Sequence, residues 1–240
     1  MNTITTITLT YNEEEDIEIC LKALSWADER LVLDSYSTDK VAQIARPLCE
    51  RFIERRFEDF SSSRNFAISE AKSNWVLIID ADEIVTPELA NEIRKVIKSS
   101  KFNAYCMNRI NYVYGARLKY DQPDYTIRLF KKDKCHYENT IHEIPVVDGP
   151  IGQLKNSFFH YSMKNLDEHI KKINSYTTLE AERSKKVNFI AFIRPFHRLL
   201  EYIFIKKSWR DGVIGIIMCL NAVFYEFITL FKLWEKDLKS

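Results

Sequence analysis

The N-terminal part of the chain alternates between short apolar segments and longer amphipathic ones. The apolar segments are rich in Ile, Leu, Val and Thr and predict β-strands, while the amphipathic segments repeat their apolar residues at helical spacing. Strands are predicted at residues 3–10, 30–34, 52–56 and 75–79. Helices are predicted from Ile17 and near residues 40–47, 61–71 and 87–99. This alternation is typical of an α/β fold whose sheet is mostly parallel and flanked by helices.

The pattern changes after residue 103, where apolar and polar residues alternate one by one. Such alternation predicts strands at 104–109 and 126–130, which we expect to run antiparallel to the first set. Residues 145–152 contain Pro and Gly and predict a turn-rich connection. A strand at 158–161 then closes the predicted sheet.

The C-terminal part of the chain is predicted to be helical. Charged and apolar residues alternate at helical spacing from Leu166 to Arg183, and aromatic and basic side chains dominate the residues that follow. We therefore expect one domain over residues 1–186 and a basic, aromatic helical extension over residues 187–240.

The segment from Val213 to Trp234 is mostly apolar and long enough to span a bilayer. Glu226 and Lys232 interrupt it, and charges of this kind are costly inside a membrane. A helix lying in the interface of an anionic membrane fits the basic and aromatic residues better. Packing of the same helix on the rest of the protein is an equally open alternative.

Composition narrows the classes of function. The 240 residues have a net charge of +1, which gives no electrostatic case for a nucleic-acid partner. The five cysteines are scattered, which favours a reducing compartment over a disulfide framework. The sequence contains neither a Gly-x-Gly-x-x-Gly motif nor a P-loop, and its first residues do not resemble a signal peptide.

Carboxylates follow the strand predicted at 75–79, where Asp80-Ala81-Asp82 begins the next loop. Buried carboxylates need water, a cation or hydrogen bonds, and ligands of open α/β sheets bind beyond the strand ends. Two Asp residues at this spacing can offer oxygens to one divalent cation, so we predict a metal–diphosphate site. The alternative is a solvated strand end before a helix capped by Thr86, with Pro87 at its first position.

Two further predicted strands end in polar loops, at Thr10-Tyr11-Asn12-Glu13 and at Asp34-Ser35. In a parallel sheet these loops lie at the same edge as Asp80 and can converge with it. Each loop also has a purely structural interpretation. Asn12 and Glu13 suit a helix N-terminus, and Asp34 suits a turn.

These motifs, in this order, resemble glycosyltransferase family 2, which has the GT-A fold. The resemblance covers nearly the whole chain and is greatest for the bacterial branch that adds glucose to heptose in the lipopolysaccharide inner core. The matching segments are Thr10-Tyr11-Asn12-Glu13-Glu14, Asp34-Ser35-Tyr36-Ser37-Thr38-Asp39, Arg64-Asn65-Phe66-Ala67, Asp80-Ala81-Asp82-Glu83, Arg128-Leu129-Phe130, Ile141-His142-Glu143, Arg194-Pro195-Phe196, Asp211-Gly212 and Lys232-Leu233-Trp234-Glu235.

The resemblance implies an inverting enzyme that moves glucose from UDP-glucose to a lipopolysaccharide-core or related cell-surface acceptor and requires Mg²⁺ or Mn²⁺. It implies a GT-A, Rossmann-like sheet with a C-terminal helical extension, located at the inner face of the cytoplasmic membrane. Asp82 is the implied metal ligand, and Asp80 lies against the ribose or the metal. The other implied donor-binding residues are Thr10, Tyr11, Asn12, Glu13, Asp34, Ser37, Asp39 and Arg64.

The acceptor hydroxyl needs a base, because it is a poor nucleophile near neutral pH. Within the resemblance, Glu143 is the candidate base, Asp124 is the alternative, and His142 is a candidate diphosphate contact. Two other functions stay open at this stage. One is a nucleotidyltransferase, which would need a Gly-rich basic loop after the first strand. The other is a non-catalytic membrane scaffold.

Overall fold

The computed structural model describes residues 2–98, 101–120, 122–138, 144–183 and 189–239. The chain groups into two compact units. The first contains Met1–Ile110 and Pro123–His160, and the second contains Asn111–Gln122 and Tyr161–Ser240. The second unit thus holds the amphipathic helix predicted from Leu166 as well as residues 187–240.

The described strands form one mixed sheet and one two-stranded ribbon. The strands are β1 (Ile4–Thr10), β2 (Glu29–Asp34), β3 (Arg51–Glu54), β4 (Trp75–Ile78), β5 (Glu83–Val85), β6 (Ala104–Val113), β7 (Ala116–Arg117), β8 (Tyr125–Lys131), β9 (Cys135–Glu138), β10 (Ile144–Val147) and β11 (Ile151–Met163). The order in the mixed sheet is β3-β2-β1-β4-β8-β6-β11-β5, with β7 paired to β6. The ribbon pairs β9 with β10.

The first four strands of this order are parallel, as the sequence predicted. β1 pairs in parallel with both β2 and β4, and β2 pairs in parallel with β3. Thr10 lies opposite Asp34 at the end of the β1–β2 ladder. The loops after β1, β2 and β4 therefore leave the sheet at one common edge.

The second half of the sheet corrects two sequence predictions. β8 is antiparallel to β4 as expected, but β6 is antiparallel to β8 and so runs in the same direction as β4. Alternation along a strand reports which face each side chain occupies, not the direction of the strand, so it could not distinguish these cases. The predicted connection at 145–152 also contains β10, because Pro145 is tolerated in the edge strand of a two-stranded ribbon.

The described helices are close to the predicted ones. They are α1 (Ile17–Ala23), α2 (Val41–Ala45), α3 (Phe60–Glu70), α4 (Pro87–Val96), α5 (Leu166–Arg183), α6 (Phe189–Leu200) and α7 (Val213–Leu238). The predicted cap of α4 is confirmed, since Thr86 accepts a hydrogen bond from the Leu89 N–H and Pro87 is the first helical residue.

β4 shows how the core of the first unit is organised. Trp75 and Leu77 belong to one buried cluster with residues of α1 and α4, whereas Val76 and Ile78 belong to a second cluster with residues of α3. Successive side chains of a strand point to opposite faces, so a strand covered on both faces must be apolar throughout. This burial explains why the strand has no polar residue until Asp80.

In the second unit, α7 packs against α5 and α6. By length and composition alone, α7 could cross a membrane. The core helix of a globular unit can be equally long and apolar, so this property does not decide between the two. Its buried residues include Cys219, Glu226 and Leu230. The predicted helix at 213–234 is confirmed and ends a few residues later.

Candidate functional site

The loops after β1 and β2 are joined by hydrogen bonds. The Asn12 N–H donates to the Ser37 hydroxyl oxygen over 2.9 Å, and the Thr38 N–H donates to Asn12 Oδ1 over 2.8 Å. Next to these, the Glu14 N–H donates to Asp39 Oδ2 over 2.9 Å. Asn12 has a φ of 56°, a left-handed conformation that Asn tolerates better than most residues. The Asn12 side chain therefore joins two loops and does not cap α1.

Asp34 ends β2 and is buried beneath the second loop. Its Oδ2 accepts the Ser37 N–H over 2.9 Å, and its Oδ1 accepts the Ser37 hydroxyl. A carboxylate oxygen has more than one lone pair, so Asp34 keeps capacity for a further donor. Nearby, Thr10 has a buried hydroxyl without a hydrogen-bond partner among the described residues, and Tyr11 is exposed.

Asp80 follows β4 and lies between two buried arginines. Its Oδ1 accepts a hydrogen bond from Arg64 of α3 over 3.2 Å, and its Oδ2 accepts one from Arg128 of β8 over 3.0 Å. Arg128 also donates to Glu83 Oε1 over 2.6 Å. Glu83 Oε2 accepts the backbone N–H of Asp80 over 2.9 Å. Ionic contacts from two other elements therefore hold the turn between β4 and β5.

The electrostatics of this cluster separate its two carboxyl groups. Burial works to raise the pKa of Asp80, but the charges of Arg64 and Arg128 outweigh it and hold that pKa well below its usual range. Glu83 is fully buried, and burial raises its pKa to about 7 despite the opposing charge of Arg128. Asp80 is therefore ionised at neutral pH, whereas Glu83 exchanges a proton there.

Asp82 lies on the same turn and directs its carboxylate to His160. The distance from Asp82 Oδ2 to His160 Nε2 is 3.4 Å, and the two side chains keep 17% and 18% of their surface exposed. His160 belongs to β11, where it lies opposite Glu83. Carboxylate oxygen and imidazole nitrogen are both accepted by Mn²⁺, and a carboxylate oxygen also suits Mg²⁺.

These two side chains suit a cation that takes its other ligands from phosphate or water. Within the described part of the chain, no group of three His, Cys, Asp or Glu is arranged to hold a metal. Mg²⁺ in phosphate-binding sites is commonly held by one or two carboxylates together with substrate phosphates. The residues at Asp82 therefore fit a metal shared with a diphosphate and do not form a closed metal cage.

Of the two candidate bases, Glu143 and Asp124, only Asp124 lies within the residues that the structure describes. Glu143, like His142, lies outside the described residues. Asp124 lies just before β8, and its Oδ2 accepts a hydrogen bond from Arg109 Nε over 2.7 Å. β8 is antiparallel to β4, so Asp124 lies at the sheet edge where β4 ends.

Three members of the cluster were not among the predicted site residues. In the sequence, Arg128 and Glu83 stand only as parts of the matching motifs, and nothing in the local pattern around His160 indicates a metal-binding role. Each contacts a residue far away in the chain, through strand pairings that local periodicity does not reveal. Arg64 is buried and pairs with Asp80, whose carboxylate is partly exposed, so this contact differs from the weak ion pairs between two exposed side chains.

A mixed α/β sheet of this topology, with its acidic and basic residues gathered where the parallel strands end, is that of a GT-A-type glycosyltransferase. The chain belongs to glycosyltransferase family 2, since the model of the family described as "Glycosyl transferase family 2" matches residues 5–152. The predicted family and fold are thus confirmed.

Relatives and solved structures agree with this assignment. The chain is 29% identical to an uncharacterized glycosyltransferase of Rickettsia typhi, over all of this chain and 89% of the relative. It is 27% identical to the lipopolysaccharide core biosynthesis glycosyltransferase LpsC of Rhizobium meliloti, over 94% of this chain and 89% of the relative. The structure of S. aureus TarS 1–349 in complex with UDP-GlcNAc is similar in fold, with a TM-score of 0.51, 14% identity and coverage of 93% of this chain and 82% of that one.

Proposed function

We propose that this glycosyltransferase transfers glucose from UDP-glucose to a lipopolysaccharide-core or related cell-surface glycan, with inversion at the anomeric carbon. The observation that carries the proposal is the position of Asp34, Asp80 and Asp82 at the one edge where β2 and β4 end. Ligands of open α/β sheets bind at this edge. The similarity to LpsC supports the acceptor class, and the UDP and UDP-GlcNAc complexes of TarS agree with a uridine-nucleotide donor.

The joined loops after β1 and β2 form the proposed nucleotide pocket. Asp34 is fixed by Ser37 and keeps a lone pair for a base N–H, and Asp39 stabilises the same loop. Thr10, Tyr11, Asn12 and Glu13 would form the facing wall, where the exposed Tyr11 ring offers a stacking surface. The loops are already bonded to each other, so little ordering is needed when the donor binds.

The diphosphate would lie against the turn after β4. We assign Asp82 as a ligand of Mg²⁺ or Mn²⁺ and His160 as a second ligand when the ion is Mn²⁺, because the two side chains are partly exposed and adjacent. A divalent cation held there would offset the charge that develops on the departing diphosphate. Asp80 is engaged by Arg64 and Arg128, so we assign it to positioning this turn and contacting the ribose.

A single in-line displacement requires a base on the side opposite the leaving group. Glu143 remains the proposed base and Asp124 the alternative. Glu143→Gln should then abolish turnover while UDP binding persists, and Asp124→Asn should preserve turnover. The opposite pattern would assign the base to Asp124, and unchanged turnover in both variants would reject the pair.

The metal assignment is tested with Asp82→Ala. We expect UDP–Mn²⁺ binding, measured by calorimetry, and UDP-glucose turnover to fall to background, as EDTA should cause in the natural protein. Asp148→Ala is the matched control, since Asp148 is exposed and bonded to Lys134. His160→Gln should raise the Mn²⁺ concentration needed for half-maximal turnover by roughly tenfold or more. Normal turnover by Asp82→Ala would refute the metal site.

We also propose that the protein works at the inner face of the cytoplasmic membrane, where it would meet a lipid-linked acceptor, and that the helices of residues 187–240 attach it there. Support comes from their apolar and basic composition and from the length of α7.

A further inference from the structure

The turn between α6 and α7, which contains a π-helix at Glu201–Ile205 and a 3-10 helix at Ser208–Asp211, exposes a cluster of large apolar side chains. The exposed fractions are 68% for Phe204, 75% for Ile205, 57% for Trp209 and 73% for Val213. Single exposed apolar residues are common, but a group of them within one turn marks a surface that contacts a partner or a membrane.

The fold holds this turn in place. The Trp209 indole N–H donates to the Ile203 carbonyl oxygen over 3.2 Å. Asp211 accepts the backbone N–H of Lys119 over 2.6 Å and that of Tyr120 over 2.8 Å. The exposed side chains are thus presented by a structured turn with its own hydrogen bonds.

The same turn is basic. Lys206, Lys207 and Arg210 lie among the apolar residues. The two acidic residues nearby are engaged inside the unit, because Glu201 pairs with Arg198 over 2.8 Å and Asp211 binds backbone N–H groups. The surface that faces outward therefore combines apolar bulk with positive charge, which is the pattern of segments that bind anionic lipid surfaces.

α7 itself is tied to the rest of the second unit along its length. Buried Glu226 pairs with Arg194 and Arg198 of α6, each over 3.1 Å. Lys232 Nζ donates to the Asn174 carbonyl oxygen of α5 over 2.6 Å and to the Thr177 hydroxyl over 2.8 Å. If α7 crossed a bilayer alone, it would lose these contacts, and Glu226 and Lys232 would enter the hydrocarbon layer without their partners. α7 is therefore suited to lie along a membrane surface.

We propose that the α6–α7 turn, residues 203–213, inserts into the headgroup layer of an anionic bilayer, with Phe204, Ile205, Trp209 and Val213 as the inserted side chains. The basic residues of the turn favour a bilayer over a second copy of the chain, because a two-fold contact would place like charges against each other. This inference deepens the membrane association proposed above and does not depend on the sugar-transfer chemistry.

The experiment measures binding of the full chain to vesicles by flotation. One set of vesicles contains phosphatidylglycerol and phosphatidylcholine in equal parts, and the other contains phosphatidylcholine alone. Phe204→Ser combined with Ile205→Ser removes apolar side chains from the turn without removing the hydrogen bond of Trp209. The matched control is Leu166→Ser, which removes an exposed apolar side chain at the start of α5. UDP-glucose turnover in solution is measured in parallel and should be unchanged in both variants.

A second variant tests the charges of the same turn by changing Lys206, Lys207 and Arg210 to Gln. It should weaken binding to the anionic vesicles about a hundredfold, since each basic residue near the surface contributes to the attraction. The charge-matched control changes exposed Lys72, Lys95 and Lys98 of the first unit to Gln.

The results separate the two membrane proposals. We expect the natural protein to bind the anionic vesicles and both turn variants to lose that binding while the controls keep it. If the natural protein binds and the turn variants bind equally well, the turn is not the inserted segment. If the natural protein does not bind either vesicle, or the turn variants abolish only a dimer seen by light scattering, membrane association through this turn is refuted, whatever the turnover assay shows.

Discussion

Arg128→Met tests the buried ionic cluster at the turn after β4. Met fills a similar volume but removes the guanidinium that bonds Glu83 over 2.6 Å and Asp80 over 3.0 Å. Removing one partner of a buried ion pair typically costs about 3–5 kcal/mol, because a charge is left uncompensated. We expect the free energy of unfolding to fall by that amount at pH 8. At this pH the buried Glu83 of the variant must either carry an unpaired charge or stay protonated, and both states cost stability.

The cost should depend on pH, with a sign that follows from Glu83. Its pKa is about 7 in the folded protein against an ordinary value of 4.5, so the folded state binds the proton more tightly and loses stability as pH rises across that interval. Without Arg128 the folded pKa rises further, and the variant continues to lose about 1.4 kcal/mol per pH unit above 7. At pH 6 Glu83 is mostly neutral in both proteins, and the difference should shrink to about 1–3 kcal/mol, the cost of unmade buried hydrogen bonds.

Urea denaturation followed by circular dichroism at pH 6, 7 and 8 measures this difference. Lys131→Met on the same strand is the control. Lys131 is only partly buried, donates to Asn103 Oδ1 over 2.9 Å and lies near the Trp75 ring, so a smaller loss of about 1 kcal/mol that does not change with pH is expected. A variant as stable as the natural protein at pH 8, or an equal loss at all three pH values, would show that the cluster does not hold the turn in the way described.

Two further substitutions test local packing. The Asn65 amide exchanges two hydrogen bonds with the backbone of Tyr137, each over 2.8 Å, so Asn65→Ala should cost about 1–3 kcal/mol in urea denaturation, while Ser69→Ala on the exposed side of α3 should change little; equal values would contradict this. Gly215→Ala should destabilise by about 1–3 kcal/mol, because a Cβ there would overlap the carbonyl oxygen of Ser208, although Ala is the better helix former; a rise in thermal midpoint would refute the close packing.

Local patterns in the sequence were sufficient for most of the fold. β4 is apolar at every position because both of its faces are covered, and α4 begins at Thr86 because cap chemistry is local. The direction of β6 could not be derived, since it depends on which strands lie beside it and not on its own alternation. The strand at Ile144–Val147 was missed because Pro145 usually indicates a turn, and an edge position makes it acceptable.

The candidate site was predictable where its residues follow strand ends. Asp34, Asp80 and Asp82 do so, and parallel pairing brings their loops to one edge. His160 and Arg128 come from antiparallel strands far along the chain, and their contacts depend on register. The resemblance to a family supplied the order of motifs, but it gave no sign that Asp80 would be held by two arginines.

The bonds between the loops after β1 and β2 also bear on how donor preference can change in this protein. The Asn12 N–H donates to Ser37 and the Asn12 side-chain oxygen accepts from Thr38 of the other loop, while the backbone N–H of Lys40 donates to the Glu14 carboxylate. Exchanging one loop for that of a relative would leave donors and acceptors of the other loop without their hydrogen-bond partners. With these loops as the proposed nucleotide pocket, a change of nucleotide preference by recombination would have to move both segments together, and chimaeras that exchange one loop alone should lose stability before their preference can be assayed.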